Sequence, residues 1–545
     1  MQSTMQDVPL TITTIMRHAC GVNPERTVTT ALGEGRYRTV TYEELGEQVG
    51  RLANALRGLG IDGDQRVGTF MWNNAEHLAA YLAVPSMGAV LHTLNVRLAP
   101  EQIAFIANEA QDQVIIADLS LTAQLAAVLP MLDTVHTVIA VGDGELAPLT
   151  ASGKTVLRYA DALAEQSPDF DWPVVDETSA AAMCYTSGTT GNPKGVVYSH
   201  RSSYLHAMST CTANTLGIGT DDSVLPIVPM FHANAWGLPY AALMAGADLV
   251  LTDRFLDARS IIDLVESCRP TVAGAVPTIW NDVLHCLESS PGRDISSLRL
   301  VSCGGSAVPL SLMQAFEAQF GVTIRQLWGM TETSPVATTA WPPRSVSDDD
   351  ERWALRATQG RPVCGVEVRI IDDAGEPLPN DGKAVGELEV RGPWITGSYY
   401  QGRDGSKFDD GWLRTGDVGR MDQMSFVTLT DRAKDVIKSG GEWISSVELE
   451  NHLIAHPAVL EAAVVAVPDD RWQERPLAAV VLNEGADASA ADLREFLADK
   501  VVRWWLPERW TFVDEVPRTS VGKYDKKTIR ARHADGHYEV VEARD

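Results

Sequence analysis

The stretch YTSGTTGNPKG, residues 185–195, places three glycines and four aliphatic hydroxyl side chains around a single lysine, Lys194. Burial can stabilise little of it, because no large apolar side chain follows Tyr185 and glycine raises the entropic cost of ordering. Freed backbone N–H groups, hydroxyls and an ammonium are donors that suit phosphate oxygens. We therefore predict a phosphate-binding loop, with a plain surface loop as the alternative for a segment of this composition.

The flanks of this loop favour phosphate binding by a fold other than the P-loop. The run AAAMCY, residues 180–185, is apolar and predicts a buried strand, and GVVYSHRSS resumes an apolar pattern after the loop. A Walker A loop requires Gly, four residues and then Gly-Lys-Ser or Gly-Lys-Thr. Lys194 instead lies between Pro193 and Gly195, so this stretch is not a Walker A loop.

Composition and charge narrow the class of protein. The 545 residues include 45% hydrophobic and 21% charged residues, which is ordinary for a globular protein of several domains. A net charge of −27 argues against nucleic acid or an anionic membrane as a partner. No apolar run reaches the roughly 18 residues of a membrane span, and no secretory signal is evident. The seven cysteines are scattered along the chain, and their spacing does not match a zinc site. We therefore expect a cytoplasmic protein.

Periodicity predicts a large α/β body followed by smaller regions. Thr41 and Glu44 form a capping box for a helix that ends at its glycines. Strand-like and helical runs alternate up to about residue 340, which predicts parallel sheets. The alternating runs VEVRIID and VGELEVRG then predict antiparallel strands, and a second α/β-like stretch begins near residue 445. Residues 342–358, rich in Pro, Ser, Asp and Arg, predict an exposed loop.

Three further stretches carry groups suited to a nucleotide. WGMTETSP (residues 328–335) sets an indole, a glycine and an acid together, GWLRTGD (411–417) ends on a carboxylate, and PRTSVGK (517–523) ends on a lysine beside glycine. In this order with YTSGTTGNPKG, they closely resemble the motifs of the adenylate-forming superfamily of acyl-CoA synthetases, adenylation domains and firefly-type luciferases. The resemblance covers nearly the whole chain. VPMFHANAWGLPYAA (residues 228–242) looks most like bacterial medium- and long-chain fatty acyl-CoA synthetases.

The resemblance implies a fold and a reaction. The fold would be α/β, with residues 1–430 as a large N-terminal domain of parallel α/β subdomains plus a β subdomain. Residues 431–545 would form a small, mobile α+β C-terminal domain that carries Lys523. The reaction would use ATP, Mg²⁺ and CoA: a fatty acid and ATP give acyl-AMP and pyrophosphate, and the CoA thiol then gives acyl-CoA and AMP. A homodimer is left open.

The same resemblance assigns roles to side chains of this sequence. Lys523 would approach the α-phosphate and the attacking carboxylate, and His232 would lie beside the carboxylate and the thiol, unless it is a core histidine. Glu332 and Thr186 would hold Mg²⁺, a hard cation that prefers oxygen ligands. ATP or AMP would be bound by a longer set: Thr186, Ser187, Gly188, Thr189, Thr190, Lys194, Trp328, Gly329, Thr331, Asp417 and Arg432.

Within that set, the resemblance has Trp328 stack on adenine, as an indole face does well. Many relatives carry tyrosine there, so the tryptophan keeps a stacking surface and loses a hydroxyl. Asp417 would accept both ribose hydroxyls, with Arg432 reinforcing the grip. Lys194 would lie at the β- and γ-phosphates.

The remaining assignments concern the acyl group and CoA. Trp236, Gly304 and Gly305 would line an apolar acyl pocket, in which each buried methylene contributes about 0.8 kcal/mol; Trp236 is equally typical of a core residue. Asp431 would be the hinge, with a surface carboxylate as the alternative. Rotation there would carry Lys523 away and bring in the CoA-side residues Lys438, Gly440, Gly441 and Trp443.

Four other functions stay open at this point. The same fold serves short-chain, branched or aromatic acids, and adenylating enzymes that load a carrier protein. A luciferase-like oxygenase would share the motifs but take up oxygen, and a non-catalytic nucleotide-binding protein is the alternative from another class. An acyl hydrolase is disfavoured, because no Gly-x-Ser-x-Gly elbow occurs.

Overall fold

The computed structural model of this chain describes residues 1–186, 193–432, 435–439, 442–469, 471–519 and 523–543. Several residues singled out above lie outside these ranges: Ser187, Gly188, Thr189, Thr190, Gly440 and Gly441. The side chain of Trp443 also lies outside the described part.

The helices are, in chain order, α1 (Ile12–Val22), α2 (Tyr42–Gly58), α3 (Ala75–Ser86), α4 (Pro100–Ala110), α5 (Thr122–Val128), α6 (Ala147–Thr150), α7 (Tyr159–Ala164), α8 (His200–Cys211), α9 (Leu238–Ala245), α10 (Ala258–Cys268), α11 (Pro277–Ser289), α12 (Leu310–Phe320), α13 (Asp349–Arg356), α14 (Ser446–Ile454), α15 (Ala490–Ala498) and α16 (Lys526–Ala534). The strands are β1 (Thr27–Gly33), β2 (Arg36–Thr41), β3 (Arg66–Phe70), β4 (Val90–Thr93), β5 (Asp112–Asp118), β6 (Thr137–Val141), β7 (Thr155–Arg158), β8 (Ala180–Tyr185), β9 (Gly195–Ser199), β10 (Ser223–Pro226), β11 (Asp248–Leu251), β12 (Val272–Ala275), β13 (Leu300–Gly304), β14 (Thr323–Gly329), β15 (Val336–Thr339), β16 (Arg361–Pro362), β17 (Glu367–Ile371), β18 (Gly386–Arg391), β19 (Phe408–Asp409), β20 (Trp412–Met421), β21 (Val427–Arg432), β22 (Ile437–Ser439), β23 (Glu442–Ile444), β24 (Val459–Asp469), β25 (Gln473–Leu482), β26 (Arg509–Phe512) and β27 (Val541–Glu542).

Two large sheets form the N-terminal body. One has the strand order β7-β6-β5-β3-β4-β8-β9 and the other β16-β15-β14-β13-β12-β10-β11-β1-β2. Their inner strands pair in parallel, and antiparallel pairs occur at the edges. Strands such as β6 and β13 are buried along their whole length, as expected where helices cover both faces of a sheet. The predicted parallel α/β body is confirmed.

Local signals in the sequence set several of these elements. The side chain of Thr41 accepts from the backbone N–H of Glu44, and the carboxylate of Glu44 accepts from the backbone N–H of Thr41, so the capping box of α2 is confirmed. The side chain of Asp257 caps α10 by accepting from the backbone N–H of Ser260. These caps satisfy backbone N–H groups that the first helical turn leaves unpaired.

The glycine-rich loop joins the antiparallel strands β8 and β9, whose register pairs Tyr185 with Gly195. A Walker A loop joins a strand to a helix, so this connection differs from a P-loop. A Cβ added to Gly195 would lie 3.0 Å from Tyr400 Cβ and 3.1 Å from Tyr185 Cζ. Glycine at the exit of the loop therefore permits a close approach by residues near 400.

Two smaller sheets complete the fold. The antiparallel sheet β17-β18-β20-β19, with β21 on β20, is the β subdomain. Residues beyond it form the sheet β23-β22-β25-β26-β27, with β24 on β25, packed with helices including α14 and α16. The predicted α+β class of this C-terminal part is confirmed. The predicted boundary between residues 430 and 431 falls inside β21, where Asp431 pairs with Val418, and it stays a prediction about motion.

The prediction of an exposed loop over residues 342–358 is wrong, because α13 lies within it. Asp348 caps this helix through the backbone N–H of Glu351 at 2.8 Å, and the acids of its first turn suit the positive end of the helix dipole. Leu355 is buried and the guanidinium of Arg356 pairs with Glu317 at 2.7 Å. The acidic composition therefore reflects a helix start rather than a solvated loop.

Within the described residues, no helix is long and apolar enough to cross a membrane. The cytoplasmic location stays a prediction.

Candidate active site

Two cavities with shared wall residues, of about 560 and 440 Å³, lie where the N-terminal sheets, the β subdomain and the C-terminal part meet. They bring together most of the predicted residues that the structure describes: Thr186, Lys194, His232, Trp236, Gly304, Gly305, Trp328, Gly329, Thr331, Glu332, Asp417, Asp431, Arg432 and Lys523. Lys438 lines neither of these cavities: its side chain is exposed on β22, and its backbone N–H donates to Glu474 Oε2 at 2.8 Å.

The carboxyl ends of neighbouring strands place several of these residues. Gly304 ends β13, and Trp328 and Gly329 end β14, its parallel neighbour; ligands of open α/β sheets bind at such edges. A Cβ on Gly329 would lie 1.6 Å from the carbonyl oxygen of Pro335, so no side chain fits there. The chain can therefore fold closely around this end of the cavity.

A buried carboxylate, Asp417, is held by two other predicted residues. The indole Nε1–H of Trp328 donates to Asp417 Oδ2 at 2.8 Å, and the Nε of Arg432 lies 2.9 Å from Asp417 Oδ1. The charge of Asp417 raises the pKa of Arg432 further above its usual value, so the guanidinium remains charged. The indole N–H thus supplies a hydrogen-bond donor to the buried carboxylate. The ribose and adenine roles stay predictions.

Glu332 lies in a short turn, buried to 5% exposure, on the wall of the same cavity as Thr186. Its Oε1 accepts a hydrogen bond of 2.7 Å from the hydroxyl of Tyr399, which orients the carboxylate. The described residues contain no cluster of three or more His, Cys, Asp or Glu able to hold a metal alone. One carboxylate and one hydroxyl fit Mg²⁺ shared with substrate phosphates, because Mg²⁺ keeps several waters and few protein ligands.

Replacing Glu332 with glutamine is expected to raise the Mg²⁺ concentration needed for half-maximal pyrophosphate release. An amide oxygen is a weaker ligand than a carboxylate, and a shift of about tenfold corresponds to about 1.4 kcal/mol. A Mg²⁺ titration of pyrophosphate release measures it, with the exposed Glu495→Gln as control. An unchanged titration would remove Glu332 from the metal site.

Lys194 is held at the base of the glycine-rich loop. The backbone N–H of Thr186 donates to the Lys194 carbonyl at 2.9 Å, and the backbone N–H of Lys194 donates to Thr186 Oγ1 at 3.1 Å. Its ammonium donates to the carboxylate of Asp404 and lies 5.0 Å from the ring centroid of Tyr399. The ammonium thus sits on the cavity wall. Its role toward phosphate stays a prediction.

Lys523 reaches the cavity from the C-terminal part. Gly305 has φ of +88°, which favours glycine, and a Cβ there would lie 3.4 Å from Lys523 Cε, so the lysine chain runs directly alongside this residue. His232 is partly exposed at the same cavity. Burial, together with the positive charges of Lys523 and Arg97, lowers the pKa of His232 to about 3. The imidazole is therefore neutral at physiological pH and can accept a hydrogen bond.

A left-handed turn carries the predicted acyl-side tryptophan. Ala233, Asn234, Ala235 and Trp236 have φ between +42° and +58°, and Gly237 follows at +70°. Each non-glycine residue in this region costs about 1–2 kcal/mol, and such strain is typical of functional sites. Trp236 is 7% exposed and lines the cavity. The structure thus makes it both a core residue and a wall of the pocket, and its role as a gate stays a prediction.

The side chain of Asp431 is 4% exposed, so it is not a surface carboxylate. Its Oδ2 accepts from the backbone N–H of Ser446 at 2.9 Å and from the Ser446 hydroxyl, at the start of α14. Lys526 donates to that hydroxyl and lies 2.8 Å from Glu450 Oε1. The predicted hinge residue thus links β21 to the C-terminal part through hydrogen bonds. Whether the chain rotates there stays a prediction.

Sequence reasoning missed three cavity residues that precede the GWLRTGD motif, namely Tyr399, Asp404 and Lys407. The sequence does carry a signal for Lys407. This lysine follows glycine and serine in GRDGSK, and other candidate lysines such as Lys194 also lie in glycine-rich stretches. Tyr399 and Asp404 gave no such signal, since their importance comes from contacts with Glu332 and Lys194.

Known proteins are similar to this chain over nearly its whole length. A family model described as AMP-binding enzyme matches residues 16–400, and one described as AMP-binding enzyme C-terminal domain matches residues 448–523. The chain is 41% identical to a 3-methylmercaptopropionyl-CoA ligase of Ruegeria lacuscaerulensis, over 98% of this chain and 99% of the relative. It is 42% identical to a long-chain-fatty-acid–CoA ligase of Thermus thermophilus, over 97% of each. A crystal structure of the anthranilate CoA ligase AuaEII with anthranoyl-AMP superposes with a TM-score of 0.88 at 25% identity, covering 98% of this chain and all of that one.

Proposed function

The chain belongs to the AMP-binding enzyme family, and on that premise we propose that it is an acyl-CoA ligase specific for medium- to long-chain fatty acids. Acyl-CoA ligase activity follows from the family and from relatives that match nearly the whole chain. These enzymes use ATP, Mg²⁺ and CoA. The observation that carries the ligase reaction is that the Asp417–Arg432 pair, Glu332 and Lys523 line two cavities that share wall residues.

The first step requires positioning and charge neutralisation. A carboxylate is a poor acylating agent because its leaving group would be oxide, and joining it to AMP removes that difficulty. Asp417 and Trp328 would hold the nucleoside while the acid attacks the α-phosphorus and pyrophosphate leaves. Lys194 and Lys523 would neutralise charge on the phosphate oxygens, which is the main demand of phosphoryl chemistry. Bound Mg²⁺, held by Glu332 and Thr186, would supply further positive charge.

The second step needs different surroundings at the same site. The thiol of CoA attacks the acyl carbonyl of acyl-AMP, AMP leaves with the bonding electron pair, and the thiol proton is released to solvent. A neutral His232 would lie beside the thiol and is able to accept its hydrogen bond. Rotation at Asp431 would withdraw Lys523 and bring the face that carries Lys438 to the site, which is consistent with the present exposure of that lysine.

The acyl specificity rests on the apolar wall around Trp236 and on likeness to the long-chain relative. The likeness to the 3-methylmercaptopropionyl-CoA ligase favours a second candidate, a short acid. Pyrophosphate release with straight-chain acids from two to about twenty carbons and with 3-methylmercaptopropionate, each with and without CoA, separates the two. A clear preference for the short thioether acid or for acetate would overturn the long-chain proposal and leave the ligase activity standing.

Replacing Trp236 with alanine is expected to move the chain-length profile toward longer acids or to change the dependence of acyl binding on ATP. The indole is nearly buried at the cavity, and its removal opens room for methylenes worth about 0.8 kcal/mol each. The ratio of kcat/KM for long and short acids measures the effect. Trp280→Phe, in a separate buried cluster, controls for general loss of a core indole. An unchanged profile together with an unchanged dependence of acyl binding on ATP would make Trp236 a packing residue only.

A further inference from the structure

A segment before the GWLRTGD motif, residues 399–407, packs against the base of the glycine-rich loop; we call it the clasp. Arg403 of the clasp pairs with the buried carboxylate of Glu109, and Asp404 pairs with Lys194. Tyr400 lies against Gly195, where an added Cβ would be only 3.0 Å from Tyr400 Cβ. The clasp is thus docked on the N-terminal body beside the lysine that the family resemblance places at the β- and γ-phosphates.

The Asp404 carboxylate is paired with the ammonium of Lys194, which is the group that a phosphate would need as its counter-ion. Ser406 donates to Asp404 Oδ1 at 2.9 Å, while the other oxygen accepts from Lys194. Hydrogen bonding to Lys194 and Ser406 lowers the pKa of this carboxyl, so it remains ionised. Both side chains line the cavity and are partly exposed, at 25% for Lys194 and 29% for Asp404. A triphosphate that enters this cavity therefore meets the negative charge of Asp404. That charge is already paired with Lys194, the lysine that the triphosphate would bind.

The position of Asp404 favours competition with phosphate over a role in orienting Lys194 toward phosphate. A carboxylate that only orients another group is normally buried behind that group, whereas Asp404 shares the cavity wall with the ammonium. The ring of Tyr399 also lies 5.0 Å from that ammonium, and a cation over an aromatic face is held without a carboxylate. Lys194 would therefore stay near its place if the charge of Asp404 were removed.

We propose that Asp404 is a competing counter-ion, which pairs with Lys194, weakens binding of the phosphate chain and so favours departure of pyrophosphate. The inference rests on the proposed function, because it takes pyrophosphate as a product. When pyrophosphate leaves, the Asp404–Lys194 pair re-forms and keeps the ammonium neutralised. Reversal of the first step, which needs pyrophosphate to bind again, is disfavoured.

The test is calorimetric binding of pyrophosphate and of ATP, each with Mg²⁺, to the full chain and to Asp404→Asn. The Kd of Asp404→Asn for pyrophosphate is expected to fall by about two- to fivefold, the range for a partly exposed charge pair. Inhibition of the forward reaction by added pyrophosphate should strengthen to match. Asp409→Asn, an exposed neighbour on β19, should bind as the unmodified chain does.

A double-mutant cycle separates competition from a general charge effect. In a Lys194→Met background, Asp404→Asn should no longer tighten pyrophosphate binding, because the ammonium for which the two anions compete is gone. Thermal unfolding establishes that each variant is folded, and Asp404→Ser serves if the asparagine variant is not.

The outcomes are distinct. Unchanged or weaker pyrophosphate binding in Asp404→Asn would show a positioning or structural role and overturn the proposal. Tightening that persists without Lys194 would overturn it too. Failure of the unmodified chain to bind ATP would count against the proposed function itself.

Discussion

Replacing Lys523 with alanine is expected to lower the rate of acyl-AMP formation by about 10²–10³, the usual cost of losing one donor to developing charge. Transfer of the acyl group from pre-made acyl-AMP to CoA should change much less. The reason is that the ammonium is needed only while charge develops at the α-phosphate. Its present place, beside Gly305 at the shared cavities, fits the adenylating orientation.

Single-turnover measurement of each half-reaction checks this result. Lys500→Ala is the matched control, because Lys500 is exposed in the same C-terminal part. Equal losses of rate in both half-reactions would contradict the assignment of Lys523 to the first step.

Replacing Asp431 with proline is expected to trap one orientation of the C-terminal part and to lower transfer to CoA by orders of magnitude, while acyl-AMP is still formed. Proline fixes φ near −65° and restricts the residue before it, here Thr430. A hinge at this position must change its φ and ψ between the two steps. The trapped orientation should be the one described above, with Lys523 at the cavity.

The structure adds a necessary control to this experiment. Asp431→Pro also removes the carboxylate that accepts from Ser446, so Asp431→Ala is made alongside it. The alanine variant loses the same hydrogen bonds but keeps a free φ. If the two variants lose transfer to CoA equally, or if adenylation falls with it, the lost contacts and not the hinge explain the effect.

The sequence predicts the cavity well where its residues belong to conspicuous motifs. Trp328 and Asp417, which are 89 residues apart, meet in a hydrogen bond, and each belongs to a motif that stands out in isolation. The capping box at Thr41 was likewise readable, because a cap is a local interaction. Local signals and strong motifs thus account for the fold class and for most of the wall of the site.

The parts that escaped prediction depend on packing between distant segments. Lys194 and Asp404 lie 210 residues apart, and nothing near Asp404 in the sequence indicates a lysine partner. Helix α13 was hidden because its acidic first turn has the composition of a loop. The left-handed turn has glycine only at its last position, Gly237, and alanine has no intrinsic preference for positive φ, so tertiary contacts must impose it.

That left-handed turn also restricts how the enzyme can be engineered. β-branched side chains are strongly disfavoured at positive φ, whereas glycine and asparagine tolerate it. A library randomised at Ala233, Asn234 and Ala235 would therefore yield few folded members outside the small or asparagine-like residues. Val276 faces the same cavity from extended backbone, with φ of −74°, and accepts any side chain on backbone grounds. Diversity intended to alter the accepted acid belongs at positions such as Val276, with the turn left intact.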